Sequence, residues 1–436
     1  MSASFDPDDT CQGLLGFIDD SPSPFHAVAN AAAYLGEAGF TTVDESSAWP
    51  SGPGRYLLTR AGALVAWIEP EGAAAHTPFR VVGAHTDSPN LRVKPNPEVS
   101  RAGFAQVAVE PYGGLLRNSW LDRDLSLSGR VVVRERGDGP GGTRTHLFHD
   151  RDPILRVAQL AVHLDRGVND TGLVLNKQQH LVPIWGIGDA MDDGGFVTYL
   201  AQQVAVDPGD VLAWDAMTHD TQPCARIGRA GEFVAAPRLD NLASSYAAVR
   251  ALAHVAGPAA YRPVVALFDH EEVGSSSERG AGSPLLEAAL ERIVRAAGGG
   301  RDDYWRSLAG SVIASADMAH GVHPNYAELG EPGHPVILNG GPVLKVHTEL
   351  RYATDGVGAA AVRLACEQAE VPLQTFVIRS DLPCGSTIGP ITAARLGVTT
   401  VDLGCAMLSM HSARELAGAA DPAMYAATLA AFLAPA

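Results

Sequence analysis

No stretch of this chain is apolar for long enough to span a bilayer. The N-terminal Met1-Ser2-Ala3-Ser4-Phe5-Asp6 also lacks the basic-then-apolar pattern of an export signal. Cysteine is scarce: Cys11, Cys224, Cys366, Cys384 and Cys405 are odd in number and never spaced Cys-x-x-Cys. That argues against a disulfide framework and against a thiolate zinc site. Basic residues are outnumbered, 32 to 49, for a formal charge of −17. There is no basic run and no interleaving of basic with aromatic residues, so nucleic acid and anionic membranes are poor partners. Internal repeats and low-complexity tracts are missing as well. What is present is a globular composition, 46% hydrophobic and 19% charged, in 436 residues, too many for one small core. The expectation is a soluble, cytoplasmic protein of two domains.

Pattern along the chain places those domains. Ser23 reads as a cap and Pro24 as the first residue of a helix through Leu35, with Gly36 or Gly39 ending it. His26 on that helix reads as a packing residue. Arg55–Thr59, Ala63–Ile68 and Phe79–Ala84 read as strands. From about residue 92 to 235 short alternating strands (Ala105–Glu110, Leu125–Arg134, Val211–Trp214) sit among glycine-rich turns such as Gly137–Gly142. Within that region Ile154–Leu164 reads as a helix carrying His163. A strand–helix rhythm then resumes. Helices are expected over Leu242–Val255, Pro284–Ala296 and Val357–Ala369. Strands are expected over Pro263–Phe268, Ser311–Ala316 and Lys345–Ala353, with Thr399–Gly404 closing the sheet. The fold predicted is α/β, a mixed sheet flanked by helices over residues 1–91 and 236–436, with a β-rich domain inserted over residues 92–235.

Chemistry-bearing residues gather at the ends of these strands. Pro263–Phe268 runs into Asp269-His270-Glu271-Glu272, and two adjacent carboxylates repel unless a cation binds one and water meets the other. Phe79–Ala84 runs into His85-Thr86-Asp87, where the imidazole can bind a metal and the carboxylate can orient the ring. Asp317 ends another strand, and His411 follows the last. Asp240 opens a helix, where its simplest role is an N-cap. Each has an ordinary explanation alone. Sites in open α/β sheets form at the carboxyl ends of strands, so residues this far apart can converge. Two imidazoles and three carboxylates without thiolates suit a pair of divalent ions, zinc foremost. One carboxylate would bridge them, and an unbound glutamate would deprotonate the shared water.

A series of motifs in order then extends across nearly the whole chain. It includes Ser21-Pro22-Ser23-Pro24-Phe25-His26, Gly83-Ala84-His85-Thr86-Asp87-Ser88-Pro89, Leu239-Asp240-Asn241 and Asp269-His270-Glu271-Glu272-Val273-Gly274-Ser275. It continues through Asp317-Met318-Ala319-His320, Arg351-Tyr352-Ala353-Thr354, Asp381–Pro390 and Met410-His411-Ser412-Ala413-Arg414-Glu415. This series resembles the M18 metallopeptidases, the aspartyl aminopeptidases. The resemblance implies a zinc-exopeptidase-like fold and two divalent ions per subunit, most simply zinc. By it, His85 and Asp317 would hold one ion, Glu272 and His411 the other, and Asp240 would bridge. Glu271 would be the general base and Asp87 would support His85. Lys345, His320 and Tyr352 would receive the acidic side chain of peptides beginning with Asp or Glu. The inserted region would be an oligomerisation domain of a dodecamer, with His163 reaching a neighbour's site; the residues alone make His163 an ordinary helix-face histidine. Lys345 likewise reads in isolation as a solvated strand lysine. The chain departs from the family pattern in Ala327–His334, which lacks a lysine, and at Cys405-Ala406. A zinc aminopeptidase of neutral specificity and a non-catalytic assembly protein of the same fold are the alternatives.

Overall fold

Alternation of side chains along each strand gives the main sheet two apolar faces. The computed structural model describes residues 5–135, 142–255 and 260–436; of the glycine-rich turn from Gly137, only Gly142 falls within them. Contacts divide the chain into two units. One comprises the residues through Asp87, Cys224–Met410 and Glu415–Ala436, and the other comprises Ser88–Pro223 and His411–Arg414.

The first unit is built on β1 (Thr41–Thr42), β2 (Gly54–Arg60), β3 (Ala63–Glu69), β4 (Phe79–His85), β5 (Arg262–Phe268), β6 (Val312–Ala316), β7 (Val343–Val346), β8 (Gln374–Val377) and β9 (Thr399–Gly404). Their spatial order is β1-β2-β3-β5-β4-β6-β9-β7-β8. The central strands β5, β4, β6 and β9 run parallel, so their carboxyl ends share one edge. Phe268 pairs with His85 across that edge. Thr399–Gly404 does not close the sheet: β7 pairs antiparallel to it and β8 lies beyond. Nor does a strand run over Lys345–Ala353. The ladder with β9 ends where Lys345 meets Asp402, and the chain then turns, burying Tyr352.

Helices cover both faces: α1 (Pro7–Asp19), α2 (Pro24–Glu37), α3 (Leu239–His254), α4 (Leu285–Ala296), α5 (Arg301–Ala309), α6 (Gly356–Ala369), α7 (Ile388–Leu396) and α8 (Asp421–Leu433). Val82 and Ala84 of β4 pack with α1, α2, α3, α6 and α8, whereas Phe79 and Val81 pack with α4, α5 and α7. The helix predicted after Ser23 forms as α2, the Ser23 side chain accepting the His26 N–H and Gly39 following at φ +86°. Val264–Phe268 of β5 are at most 1% exposed. Each of its Val, Leu and Phe side chains contributes about 1.5–3 kcal/mol of transfer free energy, which makes the strand a rigid base for the acids after it.

The second unit is a six-stranded antiparallel sheet in the order Thr143–His149, Leu125–Arg134, Val211–Asp220, Asn90–Arg101, Phe104–Tyr112, Ile184–Ile187. Leu91, Val107, Leu127, Val131, Phe148 and Phe196 are in its core. The helix expected over Ile154–Leu164 is not there. Leu155, Arg156 and Val157 form bridges to Leu125, Ile184 and Leu121, and these pairings outweigh the segment's helical pattern. His163 lies in an exposed turn, and Leu160, Val162 and Leu164 around it are 59%, 48% and 75% exposed. Among the described residues no helix is long and apolar enough to cross a membrane.

Candidate metal centre and active site

β4 delivers His85 to the shared edge with its ring 1% exposed. Nδ1 lies 3.0 Å from the Asp87 carbonyl oxygen. A carbonyl only accepts, so Nδ1 carries a proton and donates it, and Nε2 is the nitrogen that can serve a cation. Nε2 faces Asp240 Oδ1 at 3.5 Å and Glu271 Oε2 at 4.0 Å. Ser245 of α3 fixes the backbone from below, its hydroxyl donating to the His85 carbonyl at 2.7 Å.

The Asp87 carboxylate accepts the backbone N–H of Glu271 at 3.0 Å and of Glu272 at 3.1 Å, and lies 3.4 Å from His85 Nδ1. Its main hold is thus on the two-glutamate bend. That bend needs help: His270 (φ +64°) and Ser275 (φ +58°) both sit in the left-handed region, which is costly with a Cβ. Arg279 Nε donates to Asp269 Oδ2 at 3.1 Å, and the Ser275 N–H donates to the His270 carbonyl at 2.8 Å, closing the loop on itself.

Asp240 (φ −82°, ψ 105°) and Asn241 (φ −124°, ψ 25°) both have non-helical dihedrals, so the regular turns of α3 begin after Asn241 and Asp240 stands one residue before the N-cap position. Its N–H donates to Glu415 Oε2 at 3.1 Å, and Asn241 Nδ2 donates to the Ala316 carbonyl at 2.8 Å. One ligand atom each from His85, Asp240 and Glu272 lies within 4.8 Å of the other two. Imidazole plus two carboxylates is a donor set for zinc, so these residues fit a divalent ion.

Electrostatics point the same way. Burial pushes the Glu271 carboxyl up to about 8; His85 pulls it down, while Asp317, Glu272 and Asp87 raise it further. Burial works against a charged His85, but its bonds to Asp240 and Asp87 and the Glu271 charge outweigh that and raise its pKa well above the usual value. Asp317, just past β6, is raised by burial, lowered by the Lys345 ammonium and raised again by Asp240. So many acids around one imidazole constitute a concentration of negative charge that a cation relieves.

Lys345 is not a solvated strand lysine. It is 3% exposed, its Nζ donates to the Met318 carbonyl at 2.8 Å, and it lies 3.5 Å from Asp317 Oδ1. The Tyr352 ring sits 5.1 Å from that ammonium. The Tyr352 hydroxyl is pushed up by burial and by the neighbouring Cys384 thiol. His320 stands further out, its ring 6.0 Å from Phe376, which is 6.3 Å from Tyr352. It lines an apolar cleft of about 330 Å³ with Val322, Tyr326, Val336, Phe376 and Leu382.

The first unit therefore brings together His85, Asp87, Asp240, Glu271, Glu272 and Asp317, with Lys345 and Tyr352 adjoining. His411 and His163 belong to the second unit. There His411 Nδ1 lies 3.1 Å from the Gly114 carbonyl and donates to it. Two buried acids adjoining the site escaped the sequence reading. Glu415 is 2% exposed behind Asp240, and Asp402 is 0% exposed opposite Lys345. An aspartate between Val401 and Leu403 in a buried strand was the available signal.

A family model for the Aminopeptidase I zinc metalloproteases (M18) matches residues 17–433. The chain belongs to the M18 family. An M18 relative from Streptomyces coelicolor, named a probable M18 family aminopeptidase 2, is 55% identical over 425 residues, 97% of each chain. Among solved structures, a chain of an Ape4 and Nbr1 complex superposes at TM-score 0.93 with 35% identity, covering 98% of this chain and 86% of that one. The S. cerevisiae mApe1 dodecamer gives TM-score 0.84 at 29% identity, covering 98% and 96%. The protein is thus an M18 aminopeptidase, a hydrolase, and membership implies a divalent metal.

Proposed function

We propose that this M18 aminopeptidase is a dinuclear zinc enzyme that releases N-terminal Asp and Glu from peptides. The observation that carries the reading is the convergence of His85, Asp240 and Glu272 beside Glu271, whose backbone and that of Glu272 are held by one buried carboxylate. His85 and Asp317 would hold one ion, Glu272 and His411 the other, with Asp240 shared. Two such ions supply Lewis acidity and a water acidic enough to ionise near neutral pH.

The rest is the work of this chain's own groups. Glu271 Oε takes the proton of the attacking water and returns it to the leaving amine. Burial favours proton uptake by the Glu271 carboxyl, and the cations, when bound, would offset the push from the neighbouring acids and keep it ionised to receive that proton. Asp87 keeps the bend carrying Glu271 in place, and the Asp87 carbonyl sets the His85 tautomer. Lys345 and Tyr352 receive the substrate's side-chain carboxylate. With Asp317 committed to a cation, the Lys345 ammonium is left to meet that acid in a site nearly closed to water. The net charge of −17 repels acidic peptides at long range, so the preference must be local. Self-association through the second unit accords with the exposed Leu160, Val162 and Leu164 around His163. The dodecameric yeast neighbour supports extending it to a dodecamer in which His163 reaches an adjacent subunit.

Hydrolysis of matched peptides beginning with Asp, Glu, Leu or Ala, with and without a chelator, tests this. Chelator-sensitive release of Asp and Glu over Leu and Ala is expected. Leu released fastest would overturn the roles of Lys345 and Tyr352 while keeping the metal chemistry. No release by metal-loaded protein would favour a non-catalytic assembly. Glu271→Gln, with metal content unchanged, should lose about 10²–10⁴-fold in kcat.

A further inference from the structure

Asp402 is an expensive residue for its place. It lies in β9 between Val401 and Leu403, is 0% exposed, and pairs in register with Lys345. An apolar residue there would serve the core without the cost of desolvating a carboxylate. What the carboxylate provides is directional bonding. Thr387 Oγ1 donates to Oδ1 at 2.5 Å, and the Ala353 N–H donates to Oδ2 at 2.6 Å. The Asp402 N–H in turn donates to Thr354 Oγ1 at 2.9 Å.

These bonds reach two loops. The first, Arg351–Thr354, carries Tyr352. The second, Asp381–Thr387, carries Cys384, which lies close enough to Tyr352 to raise its hydroxyl. Thr387 is also the N-cap of α7, accepting the Gly389 N–H at 3.2 Å. The helix start comes so close that a Cβ at Gly389 would lie 2.4 Å from Asp402 Oδ2, a position only glycine can take. One carboxylate thus ties both loops to the strand next to Lys345.

Resting on the substrate reading above, we infer that Asp402 is a positioning residue of the side-chain pocket: it holds Tyr352 and the Cys384 turn over Lys345 and so sets the selectivity for acidic N-termini. It touches no substrate itself. Asparagine in its place turns one acceptor into a donor: facing the Ala353 N–H it releases that loop, and facing Thr387 it exchanges a charge-assisted bond for a weaker neutral one to a hydroxyl that already accepts the Gly389 N–H.

The test compares kcat and KM for matched Asp- and Ala-initiated peptides in the full-length, metal-loaded protein. Variants are Asp402→Asn, Thr387→Val and Thr387→Ser, each with its melting temperature and metal content. Asp402→Asn and Thr387→Val should cut the Asp-to-Ala ratio of kcat/KM about ten-fold, as expected for one charge-assisted hydrogen bond. The loss should fall on KM for the Asp peptide, with metal content unchanged, and Thr387→Ser should restore the ratio. Should Asp402→Asn fail to fold, the two Thr387 variants decide. An unchanged ratio in an acid-selective enzyme, or an equal fall for both peptides, overturns this inference alone. A wild-type enzyme with no acid preference overturns the substrate reading and this inference with it.

Discussion

Replacing Asp87 by Asn separates two jobs that one residue performs. The side chain is 0% exposed, and its two oxygens hold the backbone N–H groups of Glu271 and Glu272 at 3.0 and 3.1 Å. Asparagine keeps the volume but presents an NH2 to one of these donors. One charge-assisted bond is lost and one buried N–H is orphaned, together costing about 3 kcal/mol at the bend. If the bend relaxes by moving Glu271 away from the attacking water, that cost corresponds to roughly 10²-fold in kcat. The His85 ring should be spared, because its Nδ1–H donates to the Asp87 backbone carbonyl at 3.0 Å, which the substitution leaves in place. The assay is steady-state hydrolysis of a preferred peptide alongside metal analysis by atomic emission. A fall of about two orders of magnitude in kcat with metal retained is expected. Wild-type kcat in the folded variant would refute the role in holding the bend, and metal loss as the main effect would show that the carboxylate acts through His85.

Other perturbations probe the frame and the assembly. Arg262, 0% exposed, spends all five N–H groups on Glu69 and the carbonyls of Ala74, Ala75 and Thr77. Arg262→Met should therefore cost about 3–5 kcal/mol and lower the melting midpoint by several degrees; a midpoint within a degree of wild type would contradict this. Burial raises the Asp421 carboxyl to about 6, partly offset by the N–H groups of Asn339 and Gly341. The folded chain thus binds that proton more tightly than the unfolded one. The resulting stability, about 3 kcal/mol, is present below pH 4 and lost as pH rises through 6. Melting curves of wild type and Asp421→Asn should move relative to one another in favour of Asn across that window, and parallel curves would count against it. Leu164→Asp places a charge on the exposed apolar turn beside His163 and should reduce assembly mass in light scattering, with activity falling alongside. Unchanged mass would remove that turn from the interface.

Local pattern was enough to place the strands that carry the candidate ligands. Val264–Phe268 and Phe79–Ala84 are dense in β-branched and aromatic residues, and the residues after them, Glu271, Glu272 and His85, are of types that rarely follow a buried strand without purpose. The α/β class, the helix begun by Ser23-Pro24 and the family membership were all legible in one dimension. Segments whose conformation depends on distant partners were not. Ile154–Leu164 has a helical pattern, but Leu155, Arg156 and Val157 pair with other chain segments, and Thr399–Gly404 is interior only because β7 and β8 return beside it. The site divides in the same way. Residue type and position at strand ends nominated the candidate ligands and base, since metal chemistry calls for those side chains, and the family resemblance proposed the role of each. What each buried charge faces is decided in three dimensions. That Lys345 lies against Asp317, that Glu415 supports Asp240, and that Asp402 ties two loops together are facts of packing, because a carboxylate's partners in a closed core come from strands and turns far away in sequence.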